Sequence, residues 1–269
     1  MIKEISSIDN PLIKKIVKLE QKKYRDRENA FVCSGFNVIN EIIEKHDIEC
    51  LFVREDLKQH EAVRACVKRE VDVAAVSGDL LKKISDTETA QGIMAIVKKT
   101  SIPIKNIERS SYVIIECIQD PGNLGTIIRS ADAAGISQVV IVKGTVDIYS
   151  PKAVRACAGS LFRVSIKFTD NITEATDYVK KMGAYIFAAK PDVGEAYYNC
   201  PIARNVAIII GNEGSGVSEK AEHASDGIIN IPMTGNIESL NAGVAASIIM
   251  FEGMRQEAAF IENRQKMNK

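Results

Sequence analysis

From residue 112 onward, short apolar runs alternate with amphipathic stretches. Runs at 112–117, 138–142, 163–167, 184–188, 206–210 and 228–231 are short and mostly free of charge. That is the pattern of strands buried on both faces. The intervals 124–134, 151–158, 172–182, 217–223 and 239–255 carry apolar residues at helical spacing. Strands alternating with helices predict an α/β domain with a mostly parallel sheet covered on both faces. Upstream lies a smaller α/β pattern, with strands over 31–33, 50–54, 71–76 and 92–97 and helices over 38–44 and 61–68. Residues 101–111 lack periodicity and contain Pro103, so they are taken as a linker between domains 1–100 and 112–269.

Two helical stretches stand out. After Asn10-Pro11, the positions Leu12, Ile13, Ile16, Val17 and Leu19 predict one amphipathic helix. Its other face carries Lys14, Lys15, Lys18, Lys22, Lys23, Arg25 and Arg27 against Glu20 and Asp26, a local charge of +5, with Tyr24 placed for stacking. Such a face is either solvated surface or a contact to nucleic-acid phosphate. The C-terminal stretch predicts a helix capped by Ser239. Its residues Ala245, Ala246, Ile248, Ile249, Met250 and Phe251 suggest burial on most sides. Small residues at 242–247 would let another backbone approach closely.

Composition narrows the class. With 269 residues, 46% hydrophobic and 26% charged, the chain can bury a sizeable core in two domains. No apolar run reaches the roughly 20 residues of a membrane span, and the N-terminus lacks a signal-peptide core, so a cytoplasmic location and no membrane partner are expected. Cys33, Cys50, Cys66, Cys117, Cys157 and Cys200 sit singly, and His46, His60 and His223 are scattered in polar surroundings. Neither a metal site nor a disulfide framework is readable. Net charge is zero, so a polyanion must be met by a local patch.

Three polar loops follow predicted strands. The first holds Asp120-Pro-Gly-Asn123 and leads into a helix bearing Arg129; an arginine among small residues there is either surface or a fork for phosphate. The second, Gly211-Asn-Glu213-Gly-Ser-Gly216, has glycines spaced neither as in a dinucleotide fold nor as in a P-loop. Nicotinamide and nucleotide-triphosphate chemistry are therefore disfavoured. The third runs from Ile231 through Met233, Ser239 and Leu240 to Asn241. In parallel sheets such loops are where ligands bind.

Together these loops resemble the three motifs of the SpoU (TrmH-like) RNA ribose 2′-O-methyltransferases of the SPOUT superfamily, in order from Tyr112 to about Arg255. Residues 7–27, 31–43 and 85–93 resemble that family's small substrate-binding domain of ribosomal-protein-like fold. The resemblance implies a trefoil knot at the C-terminal end of the catalytic domain, which is rare among proteins. It also implies S-adenosylmethionine as cofactor, held by Gly211, Ile231, Met233 and Leu240. It implies a homodimer whose sites draw on both chains, and it carries the catalytic role to Asn123, Arg129, Glu213, Ser239 and Asn241. Lys14, Lys15, Lys22, Lys23, Arg25 and Arg27 become candidate RNA contacts. Two departures are visible: Ala242-Gly243 where the family continues Val-Ser, and Ser34 where many relatives carry Glu.

The implied reaction moves an activated methyl group to a ribose 2′-hydroxyl, so the protein must align that oxygen and assist loss of its proton. The family assigns activation to Arg129. A guanidinium scarcely deprotonates, and clamping the adjacent phosphate while stabilising the alkoxide is the alternative. Glu213 would orient Arg129 or the nucleotide. Ribosomal RNA is the favoured substrate; the alternatives are transfer RNA, or a member that binds RNA without turnover.

Overall fold

The computed structural model describes residues 2–85, 91–104 and 110–267. Two compact units form: Met1–Thr100 with Asp147–Phe162, and Ser101–Val146 with Arg163–Lys269. The segment 86–90, within the stretch likened above to the end of the substrate-binding domain, and residues 105–109 of the expected linker lie outside the described residues.

The first unit contains β1 (Ile2–Ile5), α1 (Pro11–Lys18), α2 (Lys22–Glu28), β2 (Ala30–Ser34), α3 (Phe36–Ile42), β3 (Ile48–Arg54), α4 (Glu61–Lys68), β4 (Asp72–Val76), α5 (Gly78–Ile84) and β5 (Ile93–Lys98). Its sheet runs β1-β4-β3-β5-β2, parallel through β3 and antiparallel at β5 and β2. Ile13, Ile16 and Leu19 of the N-terminal region pack with Phe52, Ala74, Leu80 and Ile96. Each such fully buried aliphatic side chain contributes roughly 1.5–3 kcal/mol, against 0–1 kcal/mol for a typical surface ion pair. The apolar face therefore sets how the N-terminal helices dock.

The single helix expected over this region is two. Asn10 caps α1 through Leu12 N–H (2.9 Å), and α1 stops at Leu19, whose carbonyl accepts from Arg25 Nη1 at 2.8 Å, as does that of Glu20 at 2.6 Å. An arginine from the next helix thus satisfies the carbonyls that end the first. Arg25 Nη2 also meets Asp147 Oδ2 at 2.6 Å, and Arg25 is only 3% exposed. Asp147 opens the later segment of this unit, in which Tyr149 and Phe162 pack on Phe31 with ring centroids 4.9 and 5.7 Å away. Two histidines are less solvated than expected. His46 lies 4.9 Å from the Phe162 ring, and burial leads the causes that lower its pKa. His60 caps α4, its Nδ1 accepting from Ala62 N–H at 3.2 Å.

The second unit contributes β6 (Ser111–Ile115), α6 (Pro121–Ala133), β7 (Gln138–Val142), β8 (Ile166–Thr169), α8 (Ile172–Lys181), β9 (Tyr185–Ala189), β10 (Glu195–Ala196), β11 (Val206–Ile210), α9 (Glu219–Ala224), β12 (Gly227–Asn230) and α10 (Ala242–Met267); α7 (Pro151–Ala156) belongs to the first. The sheet order is β10-β12-β9-β11-β6-β7-β8, every pairing parallel. One face packs on α8 and α9 through Ile114, Val140, Ile186, Ile209, Val179 and Ala221. Along the other, α6 and α10 pack together. The strand expected at 163–167 starts later, at Ile166, where pairing with β7 begins; Arg163 lies before it, paired with Asp132 (2.7 Å).

Helix α10 begins three residues after Ser239, and its cap is Asn241, whose Oδ1 accepts from Gly243 and Val244 N–H at 3.0 and 3.2 Å. The expected burial on most sides is also corrected: Ala246, Ile249 and Met250 are buried, but Val244, Phe251, Met254 and Ile261 are exposed.

Candidate functional site

The all-parallel sheet puts the C-terminal ends of β6, β11 and β12 on one edge, and the three loops issue from it. After β6, Asp120 caps α6 by accepting from Asn123 N–H (2.9 Å), with Pro121 in the first turn. Asn123 therefore stands on the first turn of α6. After β11 the chain closes a tight loop in which Asn212 and Gly216 exchange main-chain hydrogen bonds, both 2.9 Å. Asn212 Oδ1 accepts from Gly214 and Ser215 N–H (2.9 and 3.1 Å), and its Nδ2 donates to the Cys117 carbonyl (2.8 Å), latching the second loop to the first. A Cβ on Gly211 would stand 2.2 Å from the Gly216 carbonyl carbon. Glycine at 211 is thus needed for the loop to close.

The three loops meet in a chain of side chains. Asn241 Nδ2 donates to Asn123 Oδ1 (2.7 Å), and Asn123 Nδ2 donates to Glu213 Oε1 (2.9 Å). Glu213 also accepts from the N–H groups of Gln119 and Asp120, both at 3.1 Å. Burial works to raise the Glu213 pKa, but the Asn123 amide and the main-chain N–H groups outweigh it and hold the carboxyl below its ordinary value. Glu213 is thereby an anion already supplied with donors, suited to fixing Asn123 rather than to taking up a proton.

Beside this chain lies a cavity of about 250 Å³. Gly211, Ile231, Met233 and Leu240 all line it, with Glu213 and Ser239. Its apolar walls include Ile210, Ile229 and Ile249. Residues 233–240 form no main-chain hydrogen bonds among the described residues, so their N–H and C=O groups remain available. Larger hollows exist, such as one of about 740 Å³ bordered by Ser111, Val206 and Ile261. It lies at the opposite end of the strands from the motif loops, so the smaller cavity is the candidate site.

Arg129 takes a different position from the other motif residues. It is exposed on α6, two turns beyond the start, makes no ion pair or hydrogen bond among the described residues, and is not part of the cavity lining. Within one chain Glu213 bonds to Asn123, Gln119 and Asp120, not to Arg129. The N-terminal basic residues also separate. Lys14 pairs with Asp9 (2.8 Å), Lys22 with Asp26 (2.9 Å), Arg27 with Glu28 (2.8 Å), and Lys15 with Glu49. Arg25 is corrected outright: its donors end α1 and bind Asp147, so its charge does not reach solvent. Lys23 has no acidic partner among the described residues.

Four residues beyond the motif assignments shape the site. Asn212 and Gln119 carry the loop latches, Gln119 Nε2 donating to the carbonyls of Cys117 and Gly144 (2.9 and 2.8 Å). Cys117 holds a left-handed φ of 57°. Buried Glu116 accepts from Ser218 N–H and Oγ (2.9 and 2.7 Å), anchoring the far end of the second loop where Ser218 caps α9. The available signal was adjacency: Asn212 follows Gly211, Gln119 opens the first loop, and Glu116 and Cys117 precede it.

The family model described as SpoU rRNA Methylase family matches residues 110–251. The chain belongs to the SpoU rRNA methylase family. The MRM3-like substrate binding domain matches residues 10–95, so this SpoU protein carries a substrate-binding domain ahead of its methylase domain. The chain is 32% identical over 251 residues to the 23S rRNA (guanosine(2553)-2′-O)-methyltransferase RlmP of Bacillus subtilis, covering 93% of this chain and 98% of that one. Among solved structures, the AdoMet-bound rRNA methyltransferase from Sinorhizobium meliloti superposes with a TM-score of 0.86 at 28% identity, covering 94% of this chain and 98% of that one. The SpoU methyltransferase AviRb from Streptomyces viridochromogenes gives a TM-score of 0.82 at 25% identity, over 93% and 98% of the two chains. The methyltransferase class and its S-adenosylmethionine cofactor, expected from the motifs, hold for this SpoU protein.

Proposed function

We propose that this protein methylates a ribose 2′-hydroxyl in structured RNA, with ribosomal RNA as the substrate. The observation that carries the reading is the Asn241–Asn123–Glu213 chain, which joins all three motif loops at the rim of one cavity. Ribosomal RNA is preferred to transfer RNA because relatives matched over nearly the whole chain are named for it.

The cavity residues fit S-adenosylmethionine. Apolar walls at Ile210, Ile229, Ile231 and Leu240 suit an adenine ring, and free main-chain groups over 233–240 suit its polar edges. Glu213 and Glu238 offer carboxylates to its positive groups. When bound, the cofactor supplies a methyl group activated on a sulfonium. Asn123 and Asn241 hold the motif loops in register, and Glu213 fixes Asn123. Arg129 acts as the phosphate clamp: its planar fork holds the phosphate next to the reacting ribose and stabilises charge developing on the 2′-oxygen, while the proton leaves to phosphate or water.

Arg129 is exposed and outside the cavity lining of its own chain, which supports a site completed by a second copy. Val244, Phe251, Met254 and Ile261 recur along one exposed face of α10, an apolar stripe suited to that pairing. The reading includes the trefoil knot: its support is that the loops after β11 and β12 line one cavity before α10 returns along α6. No helix among the described residues is long and apolar enough to cross a membrane, and the proposed place of action is the cytoplasm. A binding protein without turnover is less well supported, because the Ala242-Gly243 departure has a packing role treated below.

Single-turnover methylation of ribosomal RNA tests the clamp. Arg129→Ala is expected to lose roughly 10²–10³-fold in rate, the range seen on removing one donor to a developing oxyanion. Arg129→Lys keeps the charge without the fork and retains part of the rate. Calorimetric cofactor binding should survive in both. Near-normal transfer by Arg129→Ala would overturn the assignment.

A further inference from the structure

Ion pairing divides the cations of α1 and α2 into two groups. Lys14, Lys15, Lys22, Arg25 and Arg27 each meet a carboxylate. Lys18 and Lys23 meet none among the described residues, and both turn toward Tyr24, with ammonium nitrogens 5.9 and 5.8 Å from its ring centroid. The Arg27 guanidinium stands 4.9 Å from the same centroid. Three cations around one ring attract its π-electrons, yet they repel one another. An anion entering among them relieves that repulsion.

The ring also borders a hollow. Lys14, Lys18, Tyr24 and Arg27 line a groove of about 400 Å³ together with Asp9 and Glu28, whose carboxylates are engaged by Lys14 and Arg27; its volume is within the roughly 300–1,000 Å³ typical of ligand sites. Tyr24 is half-buried, and its hydroxyl has no hydrogen bond among the described residues. Its neighbour Arg25 is locked to the Leu19 and Glu20 carbonyls and to Asp147, which fixes α2 and holds the ring in place. An aromatic ring with flexible cations over it suits a base that is out of its stack, the base taking the ring face as the cations turn to its phosphates. A duplex offers phosphates but no base face.

We infer that the groove between α1 and α2 seats one unpaired nucleotide of the substrate RNA, its base against Tyr24 and its flanking phosphates on Lys18 and Lys23. The inference rests on the RNA-methyltransferase reading, and it adds that the substrate presents an unpaired nucleotide to the first unit.

The test is fluorescence anisotropy of the full-length protein with a labelled 12-nucleotide oligouridylate and with a 12-base-pair RNA duplex. Neither measurement depends on methyl transfer, so failure of the catalytic reading is scored separately by the wild-type methylation assay. Tyr24→Ala should weaken single-strand binding at least about fivefold, the lower end for one stacked base, and change duplex binding less than twofold. Tyr24→Phe keeps the ring and should match wild type. Lys18→Gln with Lys23→Gln should lower the salt slope for the single strand by about 1.4, near 0.7 for each lost phosphate contact. Melting temperature and cofactor binding confirm that each variant is folded. Equal affinity of Tyr24→Ala and wild type for the single strand, equal loss on both RNAs, or an unchanged salt slope would overturn the proposal.

Discussion

Arg25, in a run of charged residues, and Arg129, among small and apolar ones, both stand on helices and have opposite fates. Arg25 has partners on three sides, because the chain reverses after Leu19 and Asp147 arrives from 122 residues away. Arg129 has none among the described residues. Removing Arg25 therefore exposes a cost the RNA face does not share: Arg25→Ala strands a nearly buried carboxylate and the carbonyls ending α1. It should destabilise the protein by about 3 kcal/mol, seen as a lower denaturant midpoint at unchanged slope, while the salt dependence of RNA binding stays as in wild type. A stable Arg25→Ala with a reduced salt slope would return that residue to the RNA contacts. Of the site, Asn123, Glu213 and Asn241 were legible because each sits in a distinctive loop. Their mutual bonds were not, since they join residues 90 and 118 positions apart. Arg25 was misread because no local pattern announces Asp147.

At the scale of elements, strands buried on both faces wrote themselves clearly into the chain. The runs at 138–142 and 206–210 coincide with β7 and β11. Strand β1 was missed because three of its four residues are exposed and its pattern is not apolar. The break between α1 and α2 carries no glycine or proline and depends on the capping arginine. Helix α10 shows why an element can depart from its family without harm. Gly243 is buried against α6, and a Cβ there would meet Thr126 Cβ and Cγ2 at 3.1 Å and Asn241 Oδ1 at 3.2 Å. The Thr126 side chain occupies the room that a side chain at 243 would need, and Ser247 supplies a hydroxyl between the helices, 2.7 Å from Ser130 Oγ. Gly243→Ser alone should cost about 1–2 kcal/mol by overpacking, and Thr126→Ala, which removes Cγ2 but keeps Cβ, should recover part of it. Additive effects in that double-mutant cycle would contradict the packing account.

Across the whole molecule, a sheet of parallel strands places three distant loops on one edge, and hydrogen bonds among them shape a cavity suited to a methyl donor. The first unit carries basic and aromatic groups on α1 and α2, the contact proposed for RNA. The α/β class and the division of labour were legible because buried strands and polar loops have distinct compositions. The membership of residues 147–162 in the first unit was not, because it is decided by Arg25 and Phe31, more than a hundred positions earlier. The central claim is chemical, and one measurement reaches it directly: incubating the protein with ribosomal RNA and S-adenosylmethionine labelled in its methyl group, then digesting the RNA with alkali. A 2′-O-methyl group blocks cleavage at its own linkage, so label is predicted in alkali-resistant dinucleotides, and Asn123→Ala should sharply reduce it. Label recovered only in mononucleotides would place the methyl on a base and contradict the account, as would the absence of any transfer to RNA.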